Sequence, residues 1–109
     1  MAVRGGNTRR DWCWTSFNAD VIQKVREHDF QLDDRLRYLV AQVEVAPDTG
    51  NIHVQGFLVA RRAIRLRQVK NLIGDDTAHV EPRFASTRQL AADYCKKLES
   101  REDPEREPL

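Results

Sequence analysis

The chain has 109 residues, of which 40% are hydrophobic and 32% charged, so it fits one small domain with a modest core. No apolar run is long enough to cross a bilayer, and the first residues lack the apolar core of a secretory signal. Two cysteines, Cys13 and Cys95, cannot build a disulfide framework and are expected to be idle thiols in a reducing compartment.

The net charge of +1 conceals an uneven distribution along the sequence. Residues 99–109 contain five acids against two arginines, which leaves 16 basic and 12 acidic residues, a net charge of +4, in residues 1–98. Residues 61–70 contain no acid and five basic residues: Arg61, Arg62, Arg65, Arg67 and Lys70. Such a stripe suits contacts with phosphate, although a solvated helix face would look the same.

The pattern of the first 60 residues predicts three strands and a helix. Residues 1–10 are expected to form a flexible arm, and alternating aromatic residues predict a strand over 11–17. Asn18 is suited to cap a helix extending to about His28, with Val21, Ile22 and Val25 on its inner face. Two β-branched segments, 38–45 and 51–60, predict the next strands.

The remaining residues predict two further helices and a strand. Leu66, Val69 and Ile73 have helical spacing, which predicts a helix over 65–73 that ends at Gly74. Residues 78–84 predict a weaker strand. Ser86 and Gln89 form a capping-box pattern for a last helix, whose buried side is expected to contain Leu90, Ala91, Tyr94 and Leu98. Residues 99–109 are expected to be a frayed acidic tail or the start of a linker.

Turn chemistry between the second and third strands determines the expected fold class. Pro47 and Gly50 favour a tight turn over 46–51, so these strands should form an antiparallel hairpin. The element order β-α-β-β-α-β-α then predicts one α+β domain over residues 11–98, with an antiparallel central sheet, flanking helices and ferredoxin-like topology.

The register of this hairpin brings three polar side chains onto one face. With Asp48 and Thr49 at the turn centre, Glu44 lies opposite His53, and Gln42 lies opposite Gln55. A carboxylate, an imidazole and an amide without a thiolate favour Mg²⁺ or Mn²⁺ over structural zinc. The alternative is an ordinary polar hairpin surface with a Glu–His contact.

Tyr94 and Lys97 are neighbours if the last helix continues through both residues. A tyrosine hydroxyl has an ordinary pKa of about 10, so it is a weak nucleophile unless a cation stabilises its phenolate or the transition state. Lys97 can act there, or on a metal or phosphate, although Asp93 is also placed to pair with it. The alternative is a tyrosine packed in the core and a solvated lysine.

Three ordered motifs carry a family resemblance: Cys13-Trp-Thr-Ser-Phe-Asn18, His53-Val-Gln-Gly56 and Tyr94-Cys-Lys-Lys97, with Glu44 upstream of the histidine. Over residues 9–98 the chain resembles the replication-initiator (Rep) proteins of circular single-stranded DNA viruses, in particular circoviruses and circo-like viruses. These proteins are HUH endonucleases. Gln55 replaces the second histidine, as in circovirus-like members, and the single tyrosine is similar to the single-tyrosine Rep class.

The resemblance implies an RRM-like HUH endonuclease sandwich and a specific chemistry. Glu44, His53 and Gln55 would hold Mg²⁺ or Mn²⁺, Tyr94 would be the nucleophile, and Lys97 would assist it. The enzyme would nick single-stranded DNA at an origin stem-loop through a 5′-phosphotyrosine and later rejoin it, in rolling-circle replication.

The resemblance and the charge pattern also suggest where DNA binds. The first-strand motif is linked to origin recognition, Trp12 or Trp14 could stack on bases, the basic stripe could hold phosphates, and residues 77–87 correspond to a segment that bridges single-stranded DNA in related proteins. The expected DNA-binding residues are Trp14, Thr15, Ser16, Phe17, Asn18, Arg61, Arg62, Arg65, Arg67 and Lys70.

Related Rep proteins continue into a helicase domain with a Gly-x-x-x-x-Gly-Lys-[Ser/Thr] loop, which this sequence lacks. The chain is therefore expected to be an N-terminal domain whose residues 99–109 begin a linker. The resemblance implies a host-nuclear protein with no membrane association, which could oligomerise at full length. Two alternatives remain open: a non-catalytic single-strand-binding module of RRM-like fold, and a metal-dependent hydrolase that uses water as the nucleophile.

Overall fold

Seven elements follow one another in the computed structural model, which describes residues 8–30, 34–83, 87–97 and 100–103. They are β1 (Arg9–Ser16), α1 (Ala19–Arg26), β2 (Leu36–Val45), β3 (Ile52–Ile64), α2 (Leu66–Ile73), β4 (His79–Pro82) and α3 (Arg88–Tyr94). The predicted order β-α-β-β-α-β-α is confirmed. No helix within the described ranges is both long and apolar enough to cross a bilayer.

The four strands form one sheet in the order β2-β3-β1-β4, with every neighbouring pair antiparallel. The predicted α+β class and antiparallel sheet are confirmed. In the β2–β3 hairpin Glu44 pairs with His53 and Gln42 with Gln55, so the predicted register is also confirmed. Strand β3 is longer than predicted and reaches Ile64, which places Arg61 and Arg62 on a strand.

The two faces of the sheet are covered to different extents. Helices α1 and α2 cover one face, where the main core contains Trp12, Trp14, Val21, Ile22, Val25, Leu36, Ala41, Val43, Val54, Leu58, Ala60, Ile64, Val69, Ile73, Ala78 and Val80. Helix α3 covers part of the other face, over a smaller cluster of Val40, Phe57, Val59, Ala91, Ala92 and Cys95. Toward the β2–β3 turn, this second face carries polar side chains instead, among them the buried Gln42 and Glu44.

Local capping chemistry sets the helix ends. The Asn18 side chain accepts hydrogen bonds from the backbone N–H groups of Asp20 and Val21, and Gly74 ends α2 with φ 85°, both as predicted. Helix α1 stops at Arg26, before the predicted His28. The cap of α3 is Thr87, whose hydroxyl accepts from the Leu90 N–H at 3.1 Å, and the predicted cap, Ser86, lies outside the described residues.

The predicted buried face of the last helix needs correction, and in α2 one residue of the helical pattern is exposed as well. Leu66, Leu90 and Tyr94 are exposed, whereas Val69, Ile73, Ala91 and Ala92 are buried. Helical periodicity located both helices, but in each of them small or β-branched residues are the buried ones, and the leucine and tyrosine side chains named above are exposed. Leu98 lies outside the described residues.

Trp14 requires a glycine on the neighbouring strand. Trp14 of β1 pairs with Gly56 of β3, and its indole lies over the glycine, only 1% exposed. A Cβ built on Gly56 would be 2.1 Å from Trp14 Cε2, which no real contact allows. The glycine of the His53-Val-Gln-Gly56 motif therefore has a packing role.

A buried carboxylate joins the end of β1 to the loop after α2. Asp75 accepts a hydrogen bond from the Ser16 hydroxyl at 2.6 Å and two from Thr77, through its N–H at 2.9 Å and its hydroxyl at 2.7 Å. Burial alone would raise the pKa of Asp75, but these bonds outweigh it, and the pKa lies below its usual value. Ser16 is therefore fully engaged inside the protein.

Residues 100–103 lie along the edge of β2. The Val45 N–H donates to the Ser100 carbonyl at 2.9 Å, the Glu102 N–H donates to the Val43 carbonyl at 2.9 Å, and Arg26 of α1 forms an ion pair with Glu102. The expected acidic tail is thus attached to the sheet at residues 100–103. At the other end of the chain, residues 9 and 10 of the expected arm belong to β1.

Gly56→Ala is expected to lower the free energy of unfolding by about 3 kcal/mol, because its new Cβ overlaps the Trp14 indole. Urea denaturation measures the change. Gly50→Ala is the matched control: its φ of 74° causes strain, but nothing lies within 4 Å of the added carbon, so about 1 kcal/mol is expected. Equal losses in the two variants would contradict the overlap.

Asp75→Asn is expected to cost about 1–2 kcal/mol at pH 7, because two hydroxyls and an amide lose a charged acceptor. Since the folded-state pKa of Asp75 is lowered, its contribution is present above the unfolded value of about 3.9 and disappears as the pH falls through the folded value. Unfolding at pH 7, 5 and 3 should show the difference from wild type shrinking below pH 4, whereas exposed Asp76→Asn should differ little throughout. A difference that is constant with pH would contradict this role.

Candidate functional site

A buried acid and a histidine meet next to the β2–β3 turn. Glu44 is only 2% exposed, and its Oε1 lies 3.3 Å from His53 Nε2. The two residues are directly opposed in the sheet, so the strand register sets this contact. The other ring nitrogen, His53 Nδ1, is buried and has no hydrogen-bond partner among the described residues.

Gln55 lies on the same face, two residues beyond His53 on β3. Its Oε1 accepts a hydrogen bond from the Thr15 hydroxyl at 3.2 Å, and its Nε2 donates to the Trp14 carbonyl at 3.3 Å. Thr15 and Gln55 are paired residues of β1 and β3, so this contact also follows from the register. The sheet therefore brings together Glu44, His53 and Gln55, as the hairpin pattern predicted.

Tyr94 and Lys97 meet this polar group from α3. Lys97 Nζ lies 3.6 Å from the centroid of the Tyr94 ring and 3.4 Å from Glu44 Oε1. Tyr94 is 56% exposed, so the alternative of a core tyrosine is wrong. The helix ends at Tyr94, so Lys97 reaches the ring from the turn that follows, and Asp93 accepts from Gln89 at 2.8 Å.

A pocket of about 470 Å³ opens beside these side chains, between α3 and the sheet. Its lining residues are Cys13, Thr15, Gln55, Glu81, Leu90, Ala91, Tyr94 and Cys95. Burial raises the pKa of the Cys95 thiol to about 12, with a further contribution from Cys13, and burial is also the main cause of the raised pKa of Cys13. Both thiols are therefore protonated at neutral pH and are poor nucleophiles there, which fits the expected idle cysteines.

Sequence reasoning missed two residues that touch the acid or its neighbour. Gln42 is 2% exposed and donates from Nε2 to Glu44 Oε2 at 2.9 Å and to the Lys97 carbonyl at 2.7 Å. Arg101 donates from Nε to Gln42 Oε1 at 2.9 Å. The predicted register already placed Gln42 on this face, but no sequence pattern indicated that Arg101 returns to it.

The first-strand motif divides between the core and the site. Trp14 and Ser16 are buried, and Asn18 caps α1, so the predicted contacts of Trp14 and Ser16 with DNA need correction. Trp12 is buried as well, which leaves neither tryptophan free to stack on a base. Thr15 faces Gln55, and Phe17 is 61% exposed with its ring centroid 5.5 Å from that of His53.

The basic stripe lies away from the acid and the histidine. Arg61 is eight positions beyond His53 along β3, or about 26 Å at the usual rise per residue, and Arg62 follows it. Arg65 directly precedes α2, and Arg67 and Lys70 lie on that helix, which packs on the opposite face of the sheet. The five residues are exposed or half-buried, but they are not brought to the same place as Glu44.

Residues 77–83 and 87 are the described part of the segment expected to bridge DNA, and one of them lines the pocket. Glu81 of β4 lines the pocket, while Arg83 and Arg88 hold Asp11 through Nε–Oδ2 contacts of 2.8 Å each. Burial alone raises the pKa of Asp11, but the hydrogen bonds from Arg88 and Arg83 outweigh it and the pKa lies below its usual value. Residues 84–86 of the expected bridging segment lie outside the described residues.

The donor set can be compared with what a metal requires. Glu44, His53 and Gln55 offer a carboxylate, an imidazole and an amide oxygen, and the described residues contain no cluster of three or more His, Cys, Asp or Glu. The combination suits a hard divalent ion with open positions better than a closed zinc site. Two of these donors, His53 Nε2 and the buried Glu44 carboxylate, already face each other at 3.3 Å, as two ligands of one ion would.

Comparison with known proteins gives the same family as the motifs. Residues 9–98 match the family model described as "Putative viral replication protein". The chain is 33% identical over 86 residues, 79% of its length, to Para-Rep C2 of Milk vetch dwarf C2 alphasatellite, and covers 30% of that protein. It is 34% identical over 90 residues, 83% of its length, to the Master replication protein of Subterranean clover stunt virus (strain F), and covers 28% of that protein.

The chain thus spans less than a third of the length of either curated relative. The family match nevertheless covers nearly all of the described domain, including every strand and helix that supplies the site. The chain therefore belongs to the viral replication protein family.

Proposed function

We propose that this domain cuts and rejoins single-stranded DNA, with Tyr94 as the nucleophile and a divalent cation held beside it. The observation that carries the proposal is the position of Lys97. Its ammonium group lies between the exposed Tyr94 ring, 3.6 Å away, and the buried Glu44 carboxylate, 3.4 Å away. The proposed nucleophile, the lysine ammonium group and the hairpin that would hold the ion are therefore adjacent.

Glu44, His53 and Gln55 would hold Mg²⁺ or Mn²⁺. When bound, the ion would act as a Lewis acid that polarises a non-bridging oxygen of the scissile phosphate. Support comes from the composition of the donor set and from the shared sheet face of the three side chains, where His53 Nε2 faces Glu44 Oε1 at 3.3 Å.

In the cutting step, the Tyr94 hydroxyl oxygen attacks the phosphorus and the bond from phosphorus to the 3′ oxygen breaks. The phenolic proton leaves, the departing 3′ oxygen acquires a proton, and the 5′ end remains attached as a phosphotyrosine. Attack by a 3′-hydroxyl reverses the step and joins strands without ATP. The charge of Lys97 favours the phenolate during attack and the additional negative charge of the transition state.

Lys97 and the cation would share the same carboxylate. With an ion held by Glu44, the attraction of the Lys97 ammonium group to that acid would be weaker. Because Lys97 already lies over the Tyr94 ring, a small movement would take it toward the phenol oxygen and the phosphate. The ion pair with Glu44 would thus keep Lys97 close to Tyr94 before the divalent ion binds.

The choice of tyrosine rests on the pocket lining. Cys13 and Cys95 are the other candidate nucleophiles there, and burial raises the pKa of each thiol, which suppresses the reactive thiolate. Tyr94 is exposed and has a neighbouring cation.

A single-strand-binding module of RRM-like fold explains the outward residues less well. Such modules expose aromatic residues on the central strands for base stacking. At the corresponding outward positions of β1 and β3 this sheet has Cys13, Thr15, His53 and Gln55, and its outward Phe57 is buried beneath α3. Phe17, next to His53, is the exposed aromatic residue suited to contact a base at the cut.

The proposed setting is replication of a circular single-stranded DNA genome in a host nucleus, starting at an origin stem-loop. In the whole protein, a helicase domain would follow this domain, and oligomerisation would be a property of the longer chain. These proposals rest on the family membership and on the resemblance of the three motifs.

Tyr94→Phe is expected to abolish covalent attachment to DNA while leaving the fold intact, because only an exposed hydroxyl is removed. The assay is a labelled origin-loop oligonucleotide with Mn²⁺, resolved on a denaturing gel. Tyr38→Phe, which removes the hydroxyl of the partly exposed Tyr38, is the control and should keep full adduct formation. Cleavage by Tyr94→Phe without an adduct would favour a water-using hydrolase, and retention of DNA without cutting by wild type would favour the binding module.

Glu44→Gln is expected to reduce cleavage by at least about 100-fold at limiting Mn²⁺, because a neutral amide is a weaker ligand for a hard cation. EDTA should have the same effect on wild type, and excess Mn²⁺ should reverse it. Glu81→Gln, in an exposed acid of the same pocket, is the matched control and should respond to Mn²⁺ as wild type does. Metal-independent cutting would contradict the proposed cation.

A further inference from the structure

We infer that Gln42 and Arg101 are positioning residues that fix the orientation of the Glu44 carboxylate for cation binding. The inference rests on the proposed function and extends its site to residues 100–103, which the sequence assigned to an acidic tail. Neither residue is expected to touch the DNA or the cation itself.

The first step is the environment of the acid. Glu44 Oε1 faces His53 Nε2 at 3.3 Å and Lys97 Nζ at 3.4 Å, and Oε2 accepts from Gln42 Nε2 at 2.9 Å. A buried carboxylate with one oxygen held by an amide donor cannot rotate freely, so Oε1 stays directed toward the histidine. Gln42 therefore determines which oxygen faces the site.

The second step is the orientation of the amide. The oxygen and nitrogen ends of a glutamine side chain differ little in shape, and only the nitrogen end can donate to Glu44. Arg101 Nε donates to Gln42 Oε1 at 2.9 Å, and Gln42 Nε2 also donates to the Lys97 carbonyl at 2.7 Å. If the Gln42 amide were flipped, its N–H donors would face the Arg101 donors and its oxygen would face the Glu44 carboxylate, so both contacts would be repulsive. Arg101 thus fixes the productive orientation.

The third step is how Arg101 is itself held. The backbone of residues 100–102 pairs with β2 on both sides of Glu44, through Val45 and Val43. Arg101 Nη2 donates to the Lys96 carbonyl at 2.7 Å, in the turn that follows α3. One side chain therefore connects the metal-ligand strand to the chain segment that carries Lys97.

The experiment measures Mn²⁺ affinity by electron paramagnetic resonance on the complete 109-residue chain, without DNA. Arg101→Met and Gln42→Met are expected to weaken Mn²⁺ binding by about 10-fold or more, the usual effect of removing a partner of a metal ligand. Arg101→Lys, which keeps one donor for Gln42, should recover most of the affinity. Thermal denaturation establishes that each variant is folded.

Arg26→Met is the matched control. It removes the ion pair between α1 and Glu102, which anchors the same segment without contacting Gln42. The inference expects this variant to bind Mn²⁺ within about twofold of wild type. A loss in Arg26→Met equal to that in Arg101→Met would overturn the inference, since attachment of the segment alone would then explain both.

Wild-type affinity in a folded Arg101→Met would also overturn the inference and leave the proposed nuclease intact. Absence of Mn²⁺ binding by the wild-type chain would overturn the proposed cation site and this inference together. Weaker binding in Arg101→Met with recovery in Arg101→Lys and no change in Arg26→Met would support the positioning role, since a merely structural contribution would lower all three.

Discussion

The site depends on a carboxylate that the fold places out of water. A buried carboxylate is costly unless charged or donating groups surround it. Glu44 is surrounded by an imidazole, an ammonium group and an amide, which come from β3, from the turn after α3 and from β2 itself. Satisfying this one acid therefore requires the hairpin, the last helix and the segment along β2 to be in place together.

The same requirement explains how a short helix can hold the proposed nucleophile, Tyr94, in a defined place. Helix α3 has only seven residues and buries mainly two alanines, Ala91 and Ala92, against the sheet. Its end is held by polar contacts instead: the Lys97 carbonyl accepts from Gln42, and the Lys96 carbonyl accepts from Arg101. These contacts allow Tyr94 to remain exposed while its position relative to Glu44 is still defined.

The sequence predicted the hairpin geometry well because two strong local rules act on it. A turn over 46–51 fixes the register, and the two-residue period of a strand then places Glu44, His53 and Gln55 on one face. Element order and the caps at Asn18 and Gly74 were predicted for similar local reasons. Helix faces were harder, because on α2 and α3 apolar residues occur on both the covered and the open sides.

Arg101 could not be predicted, because nothing local ties an arginine among acidic residues to a glutamine 59 positions earlier. Its contact arises from backbone pairing with the free edge of β2, which depends on the completed sheet. Gln42 was predicted on the correct face, but its role required knowing that Glu44 is buried and has an oxygen to satisfy. Local sequence patterns do not show which distant residues form hydrogen bonds with a buried polar group, so this part of the site could not be predicted.

Some residues of a motif pack in the core and others face the site, and a sequence pattern does not distinguish the two groups. In the first-strand motif, Trp14 and Ser16 are held inside by Gly56 and Asp75, whereas Thr15 and Phe17 face Gln55 and His53. Successive strand residues point to opposite faces, so a run of motif residues on one strand necessarily alternates between core and site. A motif of this kind therefore serves the packing of the sheet and the site together, and within it Cys13, Thr15 and Phe17 lie on the side of the sheet where Tyr94 lies.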